Sequence, residues 1–157
     1  MIISINQLAD IRTRYKDKKI ILTSGTFDLF HVGHLHYLEA VKSYGDILVV
    51  ILSGDNRVKG RKGLDRPIIP ETDRAQIIDA LKIVDYVFTD PTDYLPEGIN
   101  KLHAEIIAKL QPDIYVTDGN DVRFSNIMEK TKIIILPRVK GGIYSSTSAI
   151  IERIKTI

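Results

Sequence analysis

The sequence predicts an α/β fold, a doubly wound parallel sheet of about five strands covered on both faces to give three α/β/α layers. Three observations carry this. Short apolar runs at residues 20–24, 46–53, 84–89, 113–117 and 132–136 alternate with stretches of helical character, the pattern of a parallel sheet built from crossover units. The run Ile47-Leu48-Val49-Val50-Ile51-Leu52 is apolar without a break, as expected of a strand buried on both faces. Between the runs, apolar residues recur at helical spacing, most clearly Ile99, Leu102, Ile106 and Leu110. In such sheets ligands bind beyond the carboxyl ends of the strands, near the point where strand order reverses.

Taken in order, residues 4–17 read as a short amphipathic helix capped by Ser4. Residues 20–24 form the first strand, and residues 32–44 a helix that stops near Gly45. The buried strand 46–53 leads into a basic loop. Residues 71–82 are helical, with Thr72 as cap and Ile77, Ile78 and Leu81 facing inward. A strand at 84–89 follows, then the helix carrying Ile99 to Leu110, which Pro112 ends. Strands at 113–117 and 132–136 precede a last helix, 146–155, with Ile150, Ile154 and Ile157 on one stripe. No repeat or low-complexity linker interrupts the chain, and residues 1–157 read as one domain.

Composition narrows the function classes. A chain of 157 residues can bury one core, and 44% hydrophobic with 27% charged residues is ordinary for a globular protein. The absence of cysteine excludes disulfides and thiolate metal sites. No apolar run approaches the roughly 18 residues that span a bilayer. Residues 1–4 lack the layout of a signal peptide, so the expectation is a cytoplasmic protein with no membrane partner. A net charge of +2 is too small to argue for a nucleic-acid partner. Cations do cluster at Arg57, Lys59, Arg61, Lys62 and Arg66, either as a solvated loop or as an anion site.

The stretch from Gly25 to His34 concentrates the chemistry. It reads as a small-residue turn between a strand and a helix start, with His31 and His34 three apart on one side of that start. A helix N-terminus offers unpaired N–H groups and a positive dipole end, which attract phosphate. Imidazoles there add hydrogen bonds to a phosphate whose charge is changing. Gly25 and Thr26 let backbone amides approach such a group. Asp28 reads as a helix cap or as a cation ligand. A metal on the two histidines would want a third protein ligand, and phosphate contact is the better reading. His36 and His103 lack such a context. Ser145, Ser146 and Thr147 cap the last helix, and their hydroxyls also suit a triphosphate.

Thr26-Phe27-Asp28 with His31-Val32-Gly33-His34 resembles the nucleotidylyltransferase superfamily, marked by a T/C-F-D turn followed by HxGH. Tyr144-Ser145-Ser146-Thr147-Ser148 resembles that superfamily's second mark, ISSTx or STTx. The resemblance extends over nearly the whole chain and implies a Rossmann-like fold. Arg57-Val58-Lys59-Gly60 with Arg66-Pro67, and Glu71-Thr72-Asp73-Arg74, are similar to ADP-heptose synthase nucleotidylyltransferase domains. Leu136-Pro137-Arg138 is similar to glycerol-3-phosphate cytidylyltransferase. Thr117-Asp118-Gly119-Asn120-Asp121 departs from both branches.

The resemblance implies transfer of a nucleoside monophosphate from ATP or CTP to a phosphorylated sugar or polyol, with Mg²⁺ and pyrophosphate release. It implies that His31 and His34 contact the phosphates, and that Lys59 neutralises the α-phosphate or the acceptor phosphate. Gly25, Thr26, Phe27, Asp28, Asp118, Arg138, Ser145, Ser146 and Thr147 would bind the nucleotide. Arg74 would anchor the acceptor side or serve as a structural ion-pair partner. Partners would be a nucleoside triphosphate, a small phosphorylated acceptor and a second copy in a homodimer. The alternatives are an FAD synthetase and an inactive nucleotide-binding module.

Overall fold

The computed structural model describes residues 1–92, 96–119, 131–137 and 146–157. Within them six parallel strands form one sheet: β1 (Ile2–Ile3), β2 (Ile20–Gly25), β3 (Ile47–Ser53), β4 (Tyr86–Asp90), β5 (Ile114–Thr117) and β6 (Lys132–Ile135). Their order is β1-β4-β3-β2-β5-β6. The helices are α1 (Leu8–Arg14, preceded by a 3₁₀ turn at Ile5–Gln7), α2 (Val32–Lys42), α3 (Asp55–Lys62), α4 (Glu71–Asp79), α5 (Pro96–Leu110) and α6 (Thr147–Lys155).

The period-2 alternation of strand side chains divides the core between the two faces of the sheet. Ile20, Leu22, Val49, Ile51 and Tyr115 point to one face, where Leu8 and Ile11 of α1 and Ile106 and Leu110 of α5 cover them. Ile21, Leu48, Val50, Leu52 and Val116 point to the other, under Leu38 and Val41 of α2 and Ala75 and Ile78 of α4. The three layers follow directly. All seven residues of β3 are buried, as its unbroken apolar run predicts. A Leu or Ile buried in this way contributes about 1.5–3 kcal/mol.

Several local expectations are corrected. The sheet has six strands because β1 adds beside β4, with Ile2 opposite Val87 and Ile3 opposite Phe88. The basic segment is helical as far as Lys62. Pro70, not Thr72, caps α4; its fixed φ, here −62°, suits a residue entering a helix. Ile77 is exposed, while Ile78 is buried. Ile154 and Ile157 are exposed as well, so the stripe on α6 is not covered along its length. Ser4 does begin the N-terminal helical segment, its amide donating to Gln7 Oε1 at 2.9 Å.

The strand order reverses between β2 and β5. β3 and β4 lie to one side of β2, and β5 and β6 to the other. The carboxyl ends of β2 and β5 therefore border the crevice where parallel sheets bind ligands.

Candidate active site

β2 ends at Gly25, on the seam with β5, and the chain turns sharply before α2. Two non-glycine residues of the turn adopt left-handed backbone conformations, Phe27 (φ 51°) and Leu29 (φ 45°). Each costs on the order of 1–3 kcal/mol and persists only where its surroundings hold it. The Phe27 ring folds back over residue 25, where a β-carbon would lie 2.7 Å from Phe27 Cε2. A side chain at residue 25 would have to displace the buried Phe27 ring.

The turn is held from three directions. Asp28, fully buried, accepts hydrogen bonds from the amides of Ile68 and Ile69 and pairs with the Arg66 guanidinium at 2.7 Å. It therefore fastens the 66–69 segment and does not cap α2, the role weighed for it in the sequence. Burial would raise its carboxyl, but the Ile69 and Ile68 amides and Arg66 outweigh burial and hold it below the ordinary carboxylate value. Arg74, with no exposed surface, donates to the carbonyls of Thr26 (2.6 Å), Ser53 (2.9 Å) and Ile69 (2.8 Å) and to Asp55 Oδ1 (2.6 Å). Of the two roles weighed for Arg74, the geometry fits the structural one: its guanidinium joins the ends of β2 and β3 and does not line the crevice. The third support is α6. Thr147 Oγ1 donates to the carbonyl of Asp28 at 2.7 Å, joining residues far apart in sequence.

His31 is the N-cap of α2, its backbone extended and its Nδ1 accepting from the Gly33 amide at 3.1 Å. A neutral ring in that arrangement carries its proton on Nε2. His34 lies one turn along. The two imidazoles stack with centroids 3.8 Å apart and planes inclined by 22°. Phe27 and Phe30 flank His34 at 5.4 and 5.5 Å between ring centroids. The aromatic neighbours restrict the rotamers of His34, so the pair is fixed before any ligand arrives. Ser146 caps α6, its Oγ accepting from the Ala149 amide at 3.1 Å. The starts of α2 and α6, two positive helix ends, thus adjoin the same turn.

Asp118 follows β5, half-buried. Extending the pairing of Thr23 with Val116 brings it level with Gly25 across the crevice. Arg138 and Ser145 lie outside the described residues. Lys59 is exposed on α3, on the wall of a cavity of about 420 Å³ that also includes Asp55, Asn56, Thr72 and Thr92. Neither histidine lines it. That cavity opens at the carboxyl ends of β3 and β4, where Gly54 and Pro91 line it. Two residues without an expected role touch the turn: Arg66 through Asp28, and Arg61, whose Nη2 donates to Thr26 Oγ1 at 3.1 Å. Nothing in the sequence distinguishes these two arginines from the other cations of the 57–66 cluster; their partners, Asp28 and Thr26, come to them only across the fold.

Among the described residues no group of three or more His, Asp or Glu could hold a metal ion, and no helix is long and apolar enough to cross a membrane.

Residues 22–153 match the family model described as cytidylyltransferase-like. The chain is 38% identical over 156 residues to the bifunctional protein HldE of Campylobacter curvus, covering 97% of this chain and 31% of that protein. To its counterpart in Helicobacter acinonychis it is 39% identical over 156 residues, covering 98% and 31%. The chain thus spans less than a third of the length of these relatives. Among solved structures, a lipopolysaccharide core biosynthesis protein from Thermoplasma volcanium superposes with a TM-score of 0.62 at 26% identity, over 78% of this chain and 99% of that one. The pantoate-beta-alanine ligase of Francisella tularensis shares the fold, with a TM-score of 0.60 at 19% identity over 90% of this chain and 68% of that one.

Proposed function

Because the chain belongs to the cytidylyltransferase-like family, and so to the nucleotidyltransferase enzymes, we propose that it transfers a nucleoside monophosphate from a nucleoside triphosphate to a sugar phosphate. An oxygen of the acceptor phosphate attacks the α-phosphorus, a new P–O bond forms, the bond to the β-phosphate oxygen breaks, and pyrophosphate leaves. No protein nucleophile takes part. Catalysis is positioning together with stabilisation of charge on the transferring phosphoryl group.

The observation that carries this reading is the Thr147–Asp28 hydrogen bond, which holds the start of α6 against the histidine turn. The nucleotide phosphates then lie between the two helix starts, with His31 and His34 donating to oxygens that gain charge. The acceptor enters from the Lys59 side, where Lys59 meets its phosphate. The polar groups of Asp55, Asn56, Thr72 and Thr92 suit the hydroxyls of a sugar. ATP with a heptose-phosphate-like acceptor is the favoured pair, since the HldE relatives match nearly all of this chain. The described carboxylates and imidazoles do not form a chelating set for Mg²⁺. The ion in this reading arrives on the triphosphate.

The test is pyrophosphate release with ATP, CTP, GTP and UTP, each crossed with heptose 1-phosphate, other sugar phosphates, glycerol 3-phosphate and flavin mononucleotide. Release that depends on a sugar phosphate is the expected result. Release with flavin mononucleotide alone, or nucleotide binding without any release, would overturn the reading.

A further inference from the structure

A buried charged cluster lies behind the Lys59 cavity and has no part in the chemistry above. Arg57 of α3, Asp90 at the end of β4 and His103 of α5 are each at least nine-tenths buried. Asp90 Oδ2 pairs with Arg57 Nη1. Its other oxygen accepts from the amide of Thr92 at 2.9 Å and from the Thr92 hydroxyl at 2.5 Å. His103 Nε2 is 3.5 Å from Arg57 Nη1 and 3.9 Å from Asp90 Oδ2. The backbone repeats the join: the Gly54 amide donates to the Asp90 carbonyl at 3.1 Å, and a β-carbon at residue 54 would lie 2.4 Å from that oxygen.

Apolar burial does not require this arrangement. A buried ion pair gains little over well-packed apolar residues, because desolvating both charges offsets their attraction. What it does supply is direction: a charged pair has one good geometry, where an apolar contact has many. Arg57 lies two residues before Lys59 on a helix of only two turns. A fixed Arg57 therefore fixes where the Lys59 stem leaves α3. Thr92, held by the same carboxylate, also lines the cavity.

We propose that the Arg57–Asp90–His103 cluster is a positioning device that sets α3, and with it Lys59, against the end of β4, so that capture of the acceptor phosphate depends on a carboxylate the acceptor never touches. The proposal rests on the reading that Lys59 meets the acceptor. Asp90 and Arg57 are positioning residues in it, and its signature is a split between the two substrates. The acceptor KM rises while the nucleotide KM stays, because Asp28 and Thr147 hold the histidine turn through contacts that do not include α3, and the Arg74–Asp55 and Arg61–Thr26 ties between α3 and the turn are left intact in the variants below.

The test is steady-state kinetics with ATP and heptose 1-phosphate on Asp90→Asn and on the paired variant Arg57→Met/Asp90→Asn, with thermal melting of each. Asp90→Asn leaves Arg57 buried without its counter-charge, which destabilises the fold. The paired variant removes both charges and is expected to fold, since no buried charge is left without its partner. The expected result is an acceptor KM raised about tenfold or more in the paired variant, with the nucleotide KM within about twofold, and a smaller rise in Arg57→Lys. An unchanged acceptor KM in a folded paired variant would overturn the proposal. So would loss of fold in the paired variant, since the cluster would then serve stability alone. Lys59→Ala, run alongside, separates the two levels. No change in acceptor KM there removes the reading beneath the proposal. A raised KM there with normal values in the paired variant removes only the proposal.

Discussion

The ends of β2 and β3 lie side by side in one sheet and are built in opposite ways. After β2 the chain makes a short turn with two left-handed residues, and Asp28, Arg74 and Thr147 hold that turn from three sides. After β3 it enters α3 at once, and α3 turns Asn56 and Lys59 toward an open, polar cavity. One end is closed around its own backbone, and the other is left for a ligand to complete. The contrast matches the two demands of phosphoryl transfer. Groups that stabilise developing charge must be in place beforehand, whereas groups that recognise an acceptor need only meet it.

The contrast breaks most visibly at Arg74. Arg74→Ala leaves Asp55 without its partner and three backbone carbonyls without their donor, and removing one member of a buried charged pair costs about 3–5 kcal/mol. A thermal melt should show a large loss of stability, and a melting temperature near that of the parent would show that the turn does not depend on this clamp. Next comes His34→Ala, which should leave melting nearly unchanged while turnover falls by about 10²–10³, as when a donor to a charged transition state is removed. Near-normal turnover would remove the histidines from the mechanism. Lys59→Ala tests the open end. The side chain is exposed, so stability should hold, and the acceptor KM should rise about tenfold with little change for the nucleotide.

The smallest effect concerns acid. The Asp28 carboxyl is held below its ordinary value of 3.8. Between the folded and unfolded values the unfolded chain binds more protons, so stability from this group rises with pH. It is fully present above the unfolded value and is lost as pH falls through the folded one. Melting of the parent should therefore decline more steeply in acid than melting of Asp28→Asn, and parallel acid limbs would show that Asp28 contributes nothing there.

Much of this was legible because the signals are local. The six apolar residues of β3 could belong to few other structures, and Gly25 through His34 states a turn and a helix start in a single stretch. β1 escaped because two residues, Ile2 and Ile3, have no period to read. α3 escaped because its residues are mostly charged, and its one buried apolar side chain, Val58, gives no stripe. At the site, the residue types were visible and their roles were not. Arg57, Arg61, Arg66 and Arg74 look alike in sequence. They differ only in whether Asp90, Thr26, Asp28 or Asp55 awaits them across the fold.

The seam between β2 and β5 has a kinetic consequence. β2 and β3 pair across a single helix, a contact that forms early at small entropic cost. Ile21 meets Ile114 across a length of chain that holds β3, β4 and α5, a closure of higher entropic cost. Pulsed hydrogen exchange during refolding should show β3 amides protected before those of β5. The crevice lies along that late seam, so a partly folded chain has the histidine turn on one bank and nothing yet on the other. With that order of protection, competence to hold a nucleotide would be among the last properties the polypeptide acquires as it folds.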